Sequence, residues 1–293
     1  MRICHASSIL KVIAFSALTV APLSDAFASA QSHAQVDIQR PFPAPSKTAS
    51  TSGSGLITVS DQGAALSARS VLSTGSVGIQ VSLPPGGIAN GLSARAEWGD
   101  GWGVNTLSNS PTVPISATIS FNGSIDTDFV DAAANGTVWP SFFSLLLQYE
   151  IGDHTFTVSM DADNEAPSIS AHFDRLNIDS SLLLTTNALN PTKTDFLINF
   201  VTPAFDVGTS GFFDGVTFSY QSDGALPAFD AIHTFRVTVR STDPTVTLTA
   251  DGGRTSASAV PTPATLSLQG VAILSILFLF GAQRQTRRSA EIT

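Results

Sequence analysis

The stretch AEWGDGWG puts Trp98 and Trp102 on either side of Gly99, Asp100 and Gly101. Indole rings on a glycine-rich stretch can lie flat against a sugar ring, and Asp100 between them can accept sugar hydroxyls. The chemistry would be carbohydrate recognition, with an exopolysaccharide as partner. A competing reading puts one indole as a cap on the core and the other over a turn, because Trp is buried to a large extent in most proteins.

Two acidic clusters suggest calcium. Asp161, Asp163 and Glu165 fall in DADNE at the end of a strand, and Asp126, Asp128 and Asp131 form a similar group. Calcium takes roughly six to eight oxygens and often draws them from such loops. Neither cluster has the central Gly and terminal Glu of an EF-hand, and acidic loops solvated by water are the plain alternative. Calcium is the one cofactor this leaves open.

Hydrolytic chemistry finds little footing. The chain has no Gly-x-Ser-x-Gly and no His-Glu-x-x-His, the motifs of serine and zinc hydrolases. His33, His154, His172 and His233 are scattered singly. A glycan hydrolase would need two carboxylates across a cleft, and no pair is singled out by spacing. No glycine loop leads from a strand into a helix to cradle phosphate. No catalytic residue is assigned.

The elements that carry these residues read as strands. HTFTVSMDA alternates Phe156, Val158 and Met160 against Thr155, Thr157 and Ser159, and TFRVTVRS alternates Phe235, Val237 and Val239 against Arg236, Thr238 and Arg240. This period of two marks half-buried strands. PISATISF, VTFSYQS, TVTLTA and SVGIQVSL follow suit. FFSLLLQY is either a strand buried on both faces or a short helix, and the Gly152-Asp153 hairpin signal after it favours the strand. Turn signals stand at Pro84-Pro85-Gly86-Gly87, Asn122-Gly123, Asp223-Gly224 and Asp243-Pro244. There is no fixed-period repeat and no long amphipathic helix in the body. The expected fold is all-β, an antiparallel β-sandwich of jelly-roll type, over residues 55–250.

Flexible linkers are expected on both sides. Residues 31–54 contain PFPAP followed by a Ser/Thr/Gly run, and residues 251–259 read DGGRTSASA. Between residues 31 and 260 stand nine Lys/Arg and 21 Asp/Glu, a net charge of −12. That balance argues against nucleic acid and against an anionic membrane surface.

The two ends address the chain. Arg2 and Lys11 precede an apolar run over residues 12–23, and Ala28-Ser29-Ala30 supplies the small residues of a signal-peptidase site. Residues 1–30 read as a signal peptide with Gln31 first after cleavage; cleavage after Ala26 or Ala28 fits the same pattern. An uncleaved anchor is the alternative, disfavoured by the short apolar run. The single cysteine, Cys4, lies within this peptide, so the exported chain has no thiol or disulfide. At the other end, Val260-Pro261-Thr262-Pro263 leads into uncharged residues 264–282, then Arg284, Arg287 and Arg288. As a helix, residues 264–282 would span about 28 Å, one hydrocarbon core. Arginines beside such a span stay cytoplasmic, which agrees with export of the body.

Residues 260–288 resemble the PEP-CTERM sorting signal of Gram-negative bacteria, in which a Val-Pro-Glu-Pro-like motif precedes a transmembrane helix and an Arg-rich tail. Val260, Pro261 and Pro263 match, and Thr262 stands where the family has Glu. The resemblance implies an exosortase-like partner, a membrane-anchored intermediate at the inner membrane, and delivery to the cell surface or the extracellular space. A plain C-terminal anchor would share the span and the basic flank. The expected role is that of a structural or adhesive protein of the surface or biofilm matrix, with a carbohydrate-binding module as the alternative and a glycan hydrolase behind both.

Overall fold

Seventeen strands and one α-helix organise the described part of the chain. The computed structural model describes residues 30–40, 45–88, 91–107, 109–224, 227–254 and 256, without the side chains of 233 and 234. The calls at Ala28, Val260, Pro261, Pro263, Arg284, Arg287, Arg288 and residues 264–282 lie outside these residues. Among the described residues no helix is long and apolar enough to cross a membrane.

The strands are β1 (Gln31–Ile38), β2 (Lys47–Ser52), β3 (Gly55–Asp61), β4 (Ala64–Val71), β5 (Ser76–Ser82), β6 (Leu92–Asn105), β7 (Thr112–Asp126), β8 (Phe142–Ile151), β9 (His154–Asp163), β10 (Ser168–Phe173), β11 (Leu176–Asn177), β12 (Leu182–Thr186), β13 (Lys193–Val201), β14 (Phe205–Gly208), β15 (Phe212–Ser222), β16 (Phe229–Ser241) and β17 (Thr247–Ala250). They form two antiparallel sheets. The first runs β11-β10-β9-β8-β15-β6-β1-β2, with β17 also on β6. The second runs β12-β13-β7-β16-β5-β4-β3, with β14 also on β7. The inner faces pack on each other through aromatic pairs. Phe121 of the second sheet meets Phe218 of the first edge-on at 5.4 Å, and Tyr149 of the first lies 5.8 Å from Phe235 of the second.

FFSLLLQY lies in a strand, β8. β8 alternates half-buried and buried positions along its length, so it has one core face rather than two. Ile151 pairs with His154 across Gly152 and Asp153, the tight hairpin expected there. Asn122-Gly123, read above as a turn, instead lies inside β7. Glycine is needed at 123 for close approach. A Cβ there would sit 2.5 Å from the Asp230 carbonyl oxygen and 2.5 Å from Phe196 Cζ.

The N-terminal linker assignment is corrected by β1 and β2. Ala34, Val36 and Ile38 are fully buried, and β1 is an interior strand paired with β6 on one side and β2 on the other. The fold therefore begins at Gln31, one residue past Ala30, with Ala34 its first core side chain. One helix, α1 (Thr127–Asn135), follows β7; it buries Phe129 against Trp139 and Phe143 and ends at Gly136.

Candidate functional site

The strand period decides where the AEWGDGWG side chains go. In β6 the even-numbered residues from Leu92 to Trp102 all face the core. Trp98, Asp100 and Trp102 thus share one inner face, with Trp98 and Asp100 at 0% exposure and Trp102 at 4%. The sugar-binding assignment of these three residues is corrected: no indole face is presented to solvent.

Register then creates an electrostatic conflict. β15 pairs with β6 so that Asp214 lies directly opposite Asp100, and Asp214 is also fully buried. Like charges facing each other across strands repel, and burial makes the repulsion worse. Arg254 resolves it. Its Nε donates to Asp100 Oδ2 at 2.9 Å, and its Nη2 donates to Asp214 Oδ1. The remaining carboxylate capacity is filled by neutral donors. Trp102 Nε1 donates to Asp214 Oδ1 at 2.9 Å, Tyr149 Oη donates to Asp214 Oδ2 at 3.0 Å, and the Gly252 N–H donates to Asp100 Oδ1 at 2.8 Å.

The indoles serve the cation as well. The Arg254 guanidinium carbon lies 4.1 Å from the Trp98 ring centre and 5.0 Å from that of Trp102, within cation–π range. Trp98 Nε1 has no hydrogen-bond partner among the described residues, so that indole contributes through its face. Phe212 stacks on Trp102 at 5.9 Å with 6° between planes. Gly75 leaves room on the far side: its φ is +59°, and a Cβ there would come within 3.0 Å of Arg254 Nη1.

Burial pushes the Asp214 carboxyl above its ordinary value, with Arg254 pulling the other way. Burial likewise raises the Tyr149 hydroxyl, helped by the Asp214 charge, so it stays a donor. Burial works against the Arg254 charge, but Asp214, Tyr149 and Asp100 together outweigh it and hold the guanidinium above its usual value. The arrangement is a buried ion triad within an aromatic cage. Both carboxylates are bound to the same guanidinium inside the core, so this pair cannot work across a cleft as acid and base.

The triad also corrects the C-terminal linker. Asp251 N–H donates to the Gly101 carbonyl at 2.9 Å, Arg254 is 7% exposed, and Ser256 Oγ donates to the Leu248 carbonyl at 3.1 Å. Residues 251–254 are folded back onto the sandwich.

The calcium assignment is not assembled. Asp161 accepts a hydrogen bond from Ser144 Oγ at 2.7 Å, while Asp163 and Glu165 are exposed at the strand end. Among the described residues no group of three His, Cys, Asp or Glu side chains is placed to hold a metal. In the second cluster, Asp126 is taken by Lys193 Nζ at 2.5 Å and by the Ala228 N–H, while Asp128 and Asp131 belong to α1. His154 pairs with Asp174 at 2.8 Å and packs on Phe205, and His33 lies 3.6 Å from Glu97.

Reading spacing alone missed Asp214, Tyr149 and Arg254. A signal for Asp214 was present: in FFDGVTFSY it is in phase with Val216, Phe218 and Tyr220, an acid on an apolar stripe. No family model, curated protein or solved structure matches the chain.

Proposed function

We propose that this is an exported protein of the cell surface or extracellular matrix, structural or adhesive in role. Its C-terminal signal holds it at the inner membrane until an exosortase-like enzyme processes it. In this reading the sandwich is of jelly-roll type. One observation supports the structural role over a sugar-binding one. Trp98, Asp100 and Trp102 of AEWGDGWG are spent on a buried lock around Arg254, six residues before Val260. They brace the body at the base of the sorting signal, and none is offered to a glycan.

The experiment is the intact mass of the protein from culture medium and from the membrane fraction. The reading expects a medium species that begins near Gln31 and ends near Pro261. A membrane species retaining Arg288, with nothing in the medium, would reduce the tail to a plain anchor and remove the support for a matrix role.

A further inference from the structure

β12 is an edge strand of the second sheet, paired with β13 alone. The Asn187 N–H donates to the Lys193 carbonyl at 2.9 Å, continuing the ladder one residue past Thr186. In an antiparallel ladder alternate residues turn both backbone groups to the same neighbour. The odd-numbered residues of β12 therefore bond β13, and the N–H and C=O of Leu184 and Thr186 point away from the sheet. No described residue bonds them.

Side chains make this edge adhesive. The strand is LLLTT, without charge, proline or bulge. Leu184 sits opposite Phe196, a core residue, yet is 41% exposed, and Leu183 is 59% exposed. An inward-facing leucine left open at an edge means that the core surface runs out before the apolar side chains do. The other edges are guarded. β2 begins with Lys47, whose Nζ also covers the Ser60 carbonyl of β3. β11 is two residues long, β14 carries Asp206, and Ser256 covers the Leu248 carbonyl of β17. Guarding edges is how sheet proteins avoid association, so an unguarded apolar edge is one left free to pair.

We infer that β12 pairs antiparallel with β12 of a second copy of this chain, about a two-fold axis through Leu184. The strand fits itself. Leu184 faces Leu184, Leu182 faces Thr186, Leu183 faces Thr185, and no like charges meet. About four new backbone hydrogen bonds form, since the Leu182 N–H is already given to Asp179. The second sheets of the two copies become one continuous sheet, and the open leucines cover each other. A five-residue strand buries less than the about 1,200–2,000 Å² of a standard interface. The contact is therefore reversible and concentration-dependent, as lateral joining in a dense layer requires. The net charge of −12 on residues 31–260 opposes it, so salt strengthens it.

The test uses the full chain in mild detergent with Cys4→Ser, so that one added cysteine is the only thiol. A hydrogen-bonded antiparallel pair sets Cα atoms about 5.5 Å apart, within disulfide range. Leu184→Cys should form a disulfide dimer under mild oxidation, and Leu56→Cys on guarded β3 should not, although Leu56 is the more exposed at 56%. The unmodified chain should sediment as a monomer–dimer equilibrium that shifts to dimer with salt. Leu184→Lys should abolish the dimer; so should Leu184→Pro, which removes an outward N–H together with the leucine side chain. A chain that stays monomeric at high concentration, a dimer that survives both substitutions, or equal crosslinking at 184 and 56 would each overturn the inference.

Discussion

Arg254→Met is the sharpest perturbation of the buried triad. It keeps much of the side-chain volume and removes only the cation, leaving Asp100 and Asp214 opposite each other with no counter-charge. Removing one partner of a buried ion pair costs about 3–5 kcal/mol, and losing the cation between two indole faces adds about 1 kcal/mol. For a body of this size each kcal/mol lowers the melting temperature by about 2–4 °C. A total of about 4–6 kcal/mol then corresponds to about 8–24 °C. Urea unfolding of residues 31–256, followed by tryptophan fluorescence, measures it, since Trp98 and Trp102 report on the site itself.

The loss should depend on pH with a defined sign. Burial raises the Asp214 carboxyl in the folded protein above its unfolded value of 3.8. Its destabilisation is therefore absent at acid pH and appears as pH rises through the folded value. Removing Arg254 takes away the cation that pulls this value down, so the window moves to higher pH. The gap between variant and parent should be small near pH 4 and grow toward pH 7. Adding Asp100→Asn and Asp214→Asn to Arg254→Met should recover most of the loss, because a buried ionic group replaced as a whole is near neutral. A variant within about 0.5 kcal/mol of the parent at pH 7, with no pH trend, would refute the account of residues 251–254 as part of the fold.

Two further predictions concern the N-terminal strands. A chain begun at residue 55 lacks β1 and β2 and exposes the β6 edge; it should lose cooperative unfolding, while a chain begun at Gln31 keeps it, and circular dichroism melts separate the two. Asp61 is held well below the usual carboxylate range by hydrogen bonds from Arg40 and Lys47. Its stabilisation is complete above pH 3.8 and fades as pH falls through the folded value, so Asp61→Asn should flatten the acid limb of the stability profile.

The alternating strands were legible because they are long and carry Phe, Val and Ile on one face. β9 and β16 are where HTFTVSMDA and TFRVTVRS put them. β1 was not. Its inner face is Ser32, Ala34, Val36 and Ile38, half of it small, and PFPAP follows at once, so a core strand looks like the start of a linker. Gly123 misled in the opposite way: an Asn-Gly pair signals a hairpin unless something across the sheet needs the missing Cβ, and Asp230 and Phe196 are distant in sequence. The site was half legible. Trp98, Asp100 and Trp102 share a face by period alone. Whether that face is a binding surface or a core depends on Asp214 and Arg254, more than a hundred residues downstream of Asp100, and no local pattern joins them.

The triad has a consequence for how the chain completes its fold. β6 and β15 bring Asp100 and Asp214 together by register, whatever follows them. Until Arg254 arrives, pairing these strands at that end opposes two carboxylates that burial penalises further. The first sheet can align from β1 outward, since Ala34, Val36 and Ile38 need only apolar neighbours. Its far end is electrostatically incomplete without residues 251–254. A chain that emerges N-terminus first thus places β1 early and Arg254, the last buried side chain among the described residues, late. Closure of the sandwich is tied to the arrival of residues 251–254, and a chain truncated before Arg254 keeps the conflict that Arg254 removes.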